Sequence, residues 1–495
     1  MKDQANRIIT PRQRWALIAI VLAAAALRLS VIAHHGLRNN DFITIRAIDL
    51  GWMEMVDQRL HQNHVPGYFL MLKAWTTMAG QGEVALRLPS IASGVLGVAT
   101  LFWVGLLLFG PEVGLIAAGL GMVSQQWLVA NLDVRMYGWT MTLGLLALGC
   151  AWRWFETNER KWATLYLVTM VLGIGTQLLL LSVPAALAAV CVFNRGDLSW
   201  RRRLAAAALM LTPILACVPL LLAWTHAQYK VGHDDWEFEI PGRALRNLLI
   251  VAFGDYEVMG GTGKEIIRVV TFPLLGVSLL LLLWHRLQGR WQGQPLTEGR
   301  RLGLATVAWV GGLPIIMVVL ASLKSNSVDE TRYLCVTGAM MPVALAAGWW
   351  GCRSPHVRWA GIGLCIVMML AHTAMHLWGQ GDGIREAMFH LRSLGPEGNV
   401  SLAVSSSASM NAFDYYGVTM PMTPMDREEL SDEEVWATCQ AAIRDDTEFL
   451  HVFMFHGDDS PAPTLLRYRT PWLEHVGFET FGDSRVTTYR VLPVE

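Results

Sequence analysis

The sequence predicts an all-α polytopic membrane protein that crosses a bilayer about eleven times and ends in a small α/β domain outside it. Three observations carry that expectation. Of 495 residues, 53% are hydrophobic and only 16% charged, and mean hydropathy is +0.36, more apolar surface than a soluble fold can hide from water. Charges are almost absent from runs such as 17–26 and 164–192, a composition that suits hydrocarbon. From Gly379 onward the chain turns polar.

The basic segment MKDQANRIITPRQR precedes the first span, 15–33. At about 19 mostly apolar residues that span is longer than a usual signal core, so it reads as an uncleaved helix. Further spans are expected at 88–109, 113–130, 137–154, 162–178, 179–194, 203–224, 266–284, 302–322, 334–351 and 359–378. The apolar run 162–194 is divided near 175–180 into a hairpin, and charge parity supports the division. With the N-terminus in the cytoplasm, the cytoplasmic pieces carry Arg7, Arg12, Arg14; Arg153, Arg160, Lys161; Arg195, Arg201, Arg202, Arg203; Arg286, Arg290, Arg300, Arg301; and Arg353, Arg358, as the positive-inside rule requires. The opposite face then gathers Asp41, Asp49, Glu54, Asp57, Glu83, Asp133, Asp234, Asp235, Asp329 and Glu330. Chemistry that needs carboxylates is expected there.

Two external loops are long, 34–87 and 225–265. In the first, Phe42 to Leu60 has helical apolar spacing, and 67–78 is apolar but too short to cross a bilayer. That segment is expected along the interface, with Tyr68, Lys73 and Trp75 as anchors, and a loop of this length suits the cap of a surface cavity. The second loop holds HDDWEFE (233–239) and GDYEVMGGTGK (254–264); two acids beside Trp236 suit carbohydrate, whereas GGTGK lacks the spacing of a phosphate loop. The extracytoplasmic tail 379–495 shows a helical pattern at Ile384, Met388, Phe389 and Leu391, apolar runs at 400–404 and 450–455, and a second helix at 431–443 started by Ser431 and Glu434. The transmembrane domain is thus 1–378. A net charge of −1 argues against a nucleic-acid partner, and the seven cysteines form neither a disulfide framework nor a CxxC pair.

Four fragments in order, NHVPGYFLMLKAW (63–75), EVALRLPSIASGVLGVATLFWVGLLLFG (83–110), PEVGLIAAGLGMVS (111–124) and NLDVRMYGW (131–139), followed by ETRYL (330–334), resemble the GT-C membrane glycosyltransferases of the protein O-mannosyltransferase and lipid A aminoarabinose transferase type. The resemblance covers roughly the first 150 residues and the ETRYL site. It departs from the family where an acidic pair reads Asp41-Phe42 and an H-P-P triplet reads His64-Val65-Pro66.

The resemblance implies a GT-C fold and transfer of a sugar from a polyprenyl-phosphate donor to a lipid, glycan or protein hydroxyl, with inversion, at the extracytoplasmic face of a membrane of bacterial inner-membrane type. Asp41 matches the family carboxylate and is the candidate base; the plain alternative is a solvated loop aspartate or a helix cap. Asp133 occupies the glutamate position of "EARMY", where it would orient the acceptor or help hold a metal; otherwise it N-caps the next span. Arg135, Tyr137, Arg332 and Tyr333 are candidate substrate contacts, Arg332 with Tyr333 toward the lipid phosphate through the bidentate guanidinium fork, with interfacial anchoring of the arginines as the plain alternative. Lys73 and Arg87 are further phosphate candidates. His64 is a candidate for substrate or a divalent metal, although one histidine near one acid is a poor metal signature, and the cofactor stays open. Arg28, inside the first span, is expected to reach the outer headgroups. Two other readings stay open: a transporter or flippase, against which stand the absence of an inverted repeat and the few ionisable groups deep in the spans, and a catalytically silent assembly protein, which the Asp41-Phe42 departure keeps alive.

Overall fold

The computed structural model describes residues 8–32, 36–231, 262–322, 334–378, 383–404, 407–425, 432–455 and 472–492. In chain order the helices are α1 (Pro11–Ile32), α2 (Asn39–Asp49), α3 (Trp52–His61), α4 (Gly67–Ala79), α5 (Glu83–Phe109), α6 (Pro111–Val123), α7 (Gln125–Leu132), α8 (Tyr137–Thr157), α9 (Arg160–Thr176), α10 (Ser182–Asn194), α11 (Trp200–Ala216), α12 (Val218–Val231), α13 (Thr262–Gln288), α14 (Glu298–Ser322), α15 (Cys335–Trp350), α16 (Pro355–Trp378), α17 (Ile384–Leu394), α18 (Ser407–Tyr416) and α19 (Asp432–Ala442). The strands are β1 (Arg290–Trp291), β2 (Gln294–Pro295), β3 (Asn399–Val404), β4 (Met422–Met425), β5 (Phe449–Phe455), β6 (Leu473–Phe481) and β7 (Ser484–Val491).

Proline and glycine set the breaks. Gly110, at φ 114°, ends α5, and Pro111 starts α6 at a position whose N–H would find no helical partner. The run 162–194 breaks at Gln177, which is extended at φ −158°, ψ 124°, before a short 3-10 turn, Leu178–Leu181, leads into α10. Helices α6 and α7 meet at a 57° bend across extended Ser124. Helices α11 and α12 meet at 51°, where Pro219 has no N–H to continue the ladder.

Over their described residues the apolar stretches read as spans are mostly helical, with breaks at Ser124, Gln177 and Cys217. Among the described residues, Pro11–Ile32, Glu83–Phe109 and Pro355–Ala374 are single helices long and apolar enough to cross a membrane, and the number is up to five if each of the two bent pairs is one span. Shorter apolar helical stretches among the described residues include Pro273–Gln288 and Cys335–Trp350, the latter 16 residues long. The chain is a multi-pass integral membrane protein.

Chain contacts divide the molecule into two compact units, one formed by Met1–Ser30 and Gly51–Leu377, the other by Val31–Leu50 and Trp378–Glu495. In the first unit, α5 packs along α6 and α8. Gly105 and Gly114 let α5 and α6 approach closely, since a Cβ on Gly105 would lie 2.7 Å from the Gly114 Cα. In the second unit a five-stranded sheet runs β4-β3-β5-β7-β6. Its first three strands are parallel, and β7 lies antiparallel between β5 and β6. Alternation along the strands separates two faces. Val400, Leu402, Leu450, Val452 and Met454 pack with Cys439 and Ala442 of α19, while Phe453 meets Phe413 of α18 edge-on at 5.9 Å on the other face. Helix α2 packs on α18 and so belongs to this unit.

His451 lies buried in this sheet, its Nδ1 3.0 Å from Thr488 Oγ1 and its Nε2 2.9 Å from Asn399 Oδ1. Burial, followed by the charge of His390, pushes it down to about 4. A depressed histidine means that the unfolded chain binds the extra proton first, so stability is full above pH ~6.5 and declines as pH falls toward 4. This second unit is expected to lose ~3 kcal/mol over that window. Thermal unfolding of the chain at pH 7 and pH 4.5 checks this, with His451→Gln removing most of the difference.

Candidate functional site

The turn between α7 and α8 is built around Asn131. Fully buried in the last turn of α7, Asn131 donates its amide to the Trp127 carbonyl and accepts from Ser93 Oγ at 3.3 Å. Thr142 Oγ1 on α8 donates to the Ser93 carbonyl at 2.8 Å, which ties α5 to α8 beneath the turn. Gly94 and Gly138 make the slot, because a Cβ on either would collide with the Asn131 side chain. Gly138→Ala is therefore expected to lower stability by ~1–3 kcal/mol. A fall in the thermal midpoint checks this, with Gly119→Ala, where a Cβ meets nothing within 4 Å, as the control.

Asp133 caps the C-terminal end of α7, its N–H donating to the Val129 carbonyl at 3.2 Å, and its side chain is half-buried. It does not N-cap the following span, as the plain reading had it: α8 begins at Tyr137, and its N-cap is Met136. A carboxylate at the negative end of a helix gains nothing from the dipole, so helix stability does not explain the residue. Arg87 braces the same turn: buried, it donates Nε to the Leu132 carbonyl at 3.1 Å, with Nη1 3.9 Å from Glu83. Arg135 and Tyr137 are buried in and just after the turn.

A residue that the sequence reading passed over stands next to Arg135. Arg59 lies one turn after Met55 on the buried face of α3 and is 1% exposed. Its Nη2 donates to Gln58 Oε1 at 2.8 Å and to Gln62 Oε1, and its guanidinium lies 5.0 Å from the centre of the Phe69 ring on α4. Its Nε and Nη1 are buried without a hydrogen-bond partner among the described residues. Burial, and then the charge of Arg135, push Arg59 down to about 10. A charge held out of water beside a like charge is unfavourable until an anion joins it. The signal in the sequence was an arginine on the apolar stripe of an amphipathic segment.

His64 joins this cluster: its ring lies 5.9 Å from Phe69, and its backbone N–H donates to the Arg59 carbonyl at 2.9 Å. Lys73 is half-buried, its Nζ 5.3 Å from the Trp52 ring. Two expectations are corrected here. Tyr68 is no interfacial anchor: it is fully buried, its hydroxyl 3.4 Å from Ser90 Oγ and its ring edge-on to Phe69. Arg28 is fully buried as well and donates Nη1 to the Ala24 carbonyl of its own helix at 3.1 Å, so its head stays inside the protein. Arg332, Tyr333 and the 233–239 acids lie outside the described residues. Among the described residues no three His, Cys, Asp or Glu side chains are grouped to hold a metal.

Asp41 belongs to the other unit. It is fully buried near the start of α2, where its Oδ2 accepts the Arg38 N–H at 2.9 Å in a capping box. The plain reading of Asp41 as a cap therefore holds for that oxygen. Asp41 is set in one unit, and Arg59, His64, Asp133 and Arg135 are set in the other.

No protein-family model matches the chain, and no curated protein matches its sequence. Solved structures do match. ArnT from Cupriavidus metallidurans bound to undecaprenyl phosphate superposes with a TM-score of 0.57 at 12% identity, over 95% of this chain and 97% of that one. The same protein in the apo state gives 0.51 at 13% identity, over 86% and 87%. The oligosaccharyltransferase AglB from Archaeoglobus fulgidus, in complex with an inhibitory peptide and a dolichol-phosphate, gives 0.53 at 10% identity, over 97% and 74%. The chain has the GT-C glycosyltransferase fold. The match to ArnT covers 95% of the chain, whereas the GT-C motifs legible in the sequence stop short of the C-terminal tail.

Proposed function

We propose that this chain is an inverting glycosyltransferase that moves a sugar from a polyprenyl-phosphate donor to a lipid, glycan or protein hydroxyl on the extracytoplasmic side of a bacterial inner membrane. The reading sets the N-terminus in the cytoplasm, with about eleven crossings in 1–378 and an extracytoplasmic domain in 379–495. The observation that carries it is the buried Arg59 guanidinium, with Nε and Nη1 unpartnered among the described residues and Arg135 beside it. A phosphate ester supplies what this cluster lacks, an anion with several acceptor oxygens. The undecaprenyl phosphate in the similar ArnT structure and the dolichol-phosphate in the AglB structure support the choice of a lipid phosphate.

The chemistry assigns the roles. The acceptor oxygen attacks the anomeric carbon, the bond from that carbon to the phosphate oxygen breaks, and the lipid phosphate leaves with the electron pair. Asp41 is the base that takes the hydroxyl proton. Arg59 and Arg135 hold the phosphate and stabilise its growing charge, with Lys73, Arg332 and Tyr333 as further donor contacts. His64 and Tyr137 are assigned to substrate binding, Asp133 to orienting substrate at the turn, and Arg87 to bracing it. The test is transfer from a panel of undecaprenyl-phosphate hexoses and pentoses by the purified chain to a membrane extract. Transfer with inverted anomeric configuration supports the reading, and retention of configuration contradicts it.

A further inference from the structure

We infer that the C-terminal α/β domain is the positioning element for Asp41, and that Phe42 is the residue through which it acts. This rests on the assignment of Asp41 as base. Phe42 is fully buried, and its ring meets Tyr415 and Tyr416 of α18 edge-on, each centroid 5.9 Å away, at 66° and 70°. The two tyrosines are themselves perpendicular at 5.0 Å, and Tyr416 is backed by Phe389 of α17 at 5.5 Å. The chain entering α2 is held too: a Cβ on Gly36 would lie 2.7 Å from the Arg385 Cβ of α17, so only glycine lets the backbone lie this close.

An 11-residue helix is marginal without tertiary packing. Asp41 and Phe42 are adjacent in the first turn of α2, and Asp41 keeps its orientation by capping that turn. Whatever holds Phe42 therefore holds the Asp41 carboxylate. The departure from an acidic pair gains a physical reason: the second position carries an aromatic anchor in place of a second charge.

The test uses the full chain with Phe42→Ala, Phe42→Leu and Tyr415→Ala. Hydrogen exchange is expected to rise in 39–49 in both alanine variants while β3 and β5 keep their protection, and carbodiimide labelling of Asp41 is expected to rise with it. In the transfer assay kcat is expected to fall ~100-fold with the donor KM unchanged, as a misplaced reacting group predicts. Phe42→Leu, which refills most of the volume, is expected to restore most of the loss. Unchanged exchange in 39–49 in both alanine variants overturns the inference, as does raised exchange with kcat intact. Asp41→Asn separates the two ideas: full activity there removes the base assignment, whereas the exchange data judge the clamp alone.

Discussion

Asp41→Asn is expected to lower sugar transfer by ~10²–10⁴-fold, the usual contribution of a positioned general base. The substitution is chosen for what it preserves. Asparagine also accepts a hydrogen bond from a backbone N–H, so the contact from Arg38 to the side chain survives. Thermal stability and undecaprenyl phosphate binding are expected to stay near wild type, which assigns the loss to the proton-accepting charge. Activity retained in full, by the same logic, leaves Asp41 as a cap and nothing more.

Arg59→Met is expected to move binding and stability in opposite directions. Methionine fills similar space against Phe69 but brings no charge to bury beside Arg135. Replacement of a buried charge with an apolar side chain raises stability by ~1–4 kcal/mol in favourable cases, so the thermal midpoint of the empty protein is expected to rise. Undecaprenyl phosphate is expected to bind ~10–150-fold more weakly, the equivalent of charged hydrogen bonds worth ~1.5–3 kcal/mol. A residue retained for structure alone shows the reverse, a lower midpoint and unchanged lipid binding. Ligand-induced stabilisation, measured with and without undecaprenyl phosphate on the same samples, reads both quantities.

The helices were legible because membrane burial writes itself into long uncharged runs, and their breaks because Pro111, Pro219 and the Gly110 turn punctuate them. The sheet was only half legible: 400–404 and 450–455 are apolar runs that form β3 and β5, whereas β6 and β7 are polar enough along their length to resemble loop. Asp133 and Arg135 were singled out through an ordered motif, and the structure sets Arg135 beside Arg59. Arg59 was passed over because a lone arginine on a short amphipathic helix looks like any solvated charge until α4 covers it. Equally illegible was the association of α2 with the tail, a contact between Phe42 and Tyr416 across more than three hundred residues, for which local periodicity holds no information.

A structure of the chain with undecaprenyl phosphate bound tests the central claim most directly. Phosphate oxygens within ~3 Å of Arg59 Nε and Nη1, with Arg135 on the same phosphate, are the predicted result. A lipid phosphate bound elsewhere, with those two nitrogens still unpartnered, would contradict it.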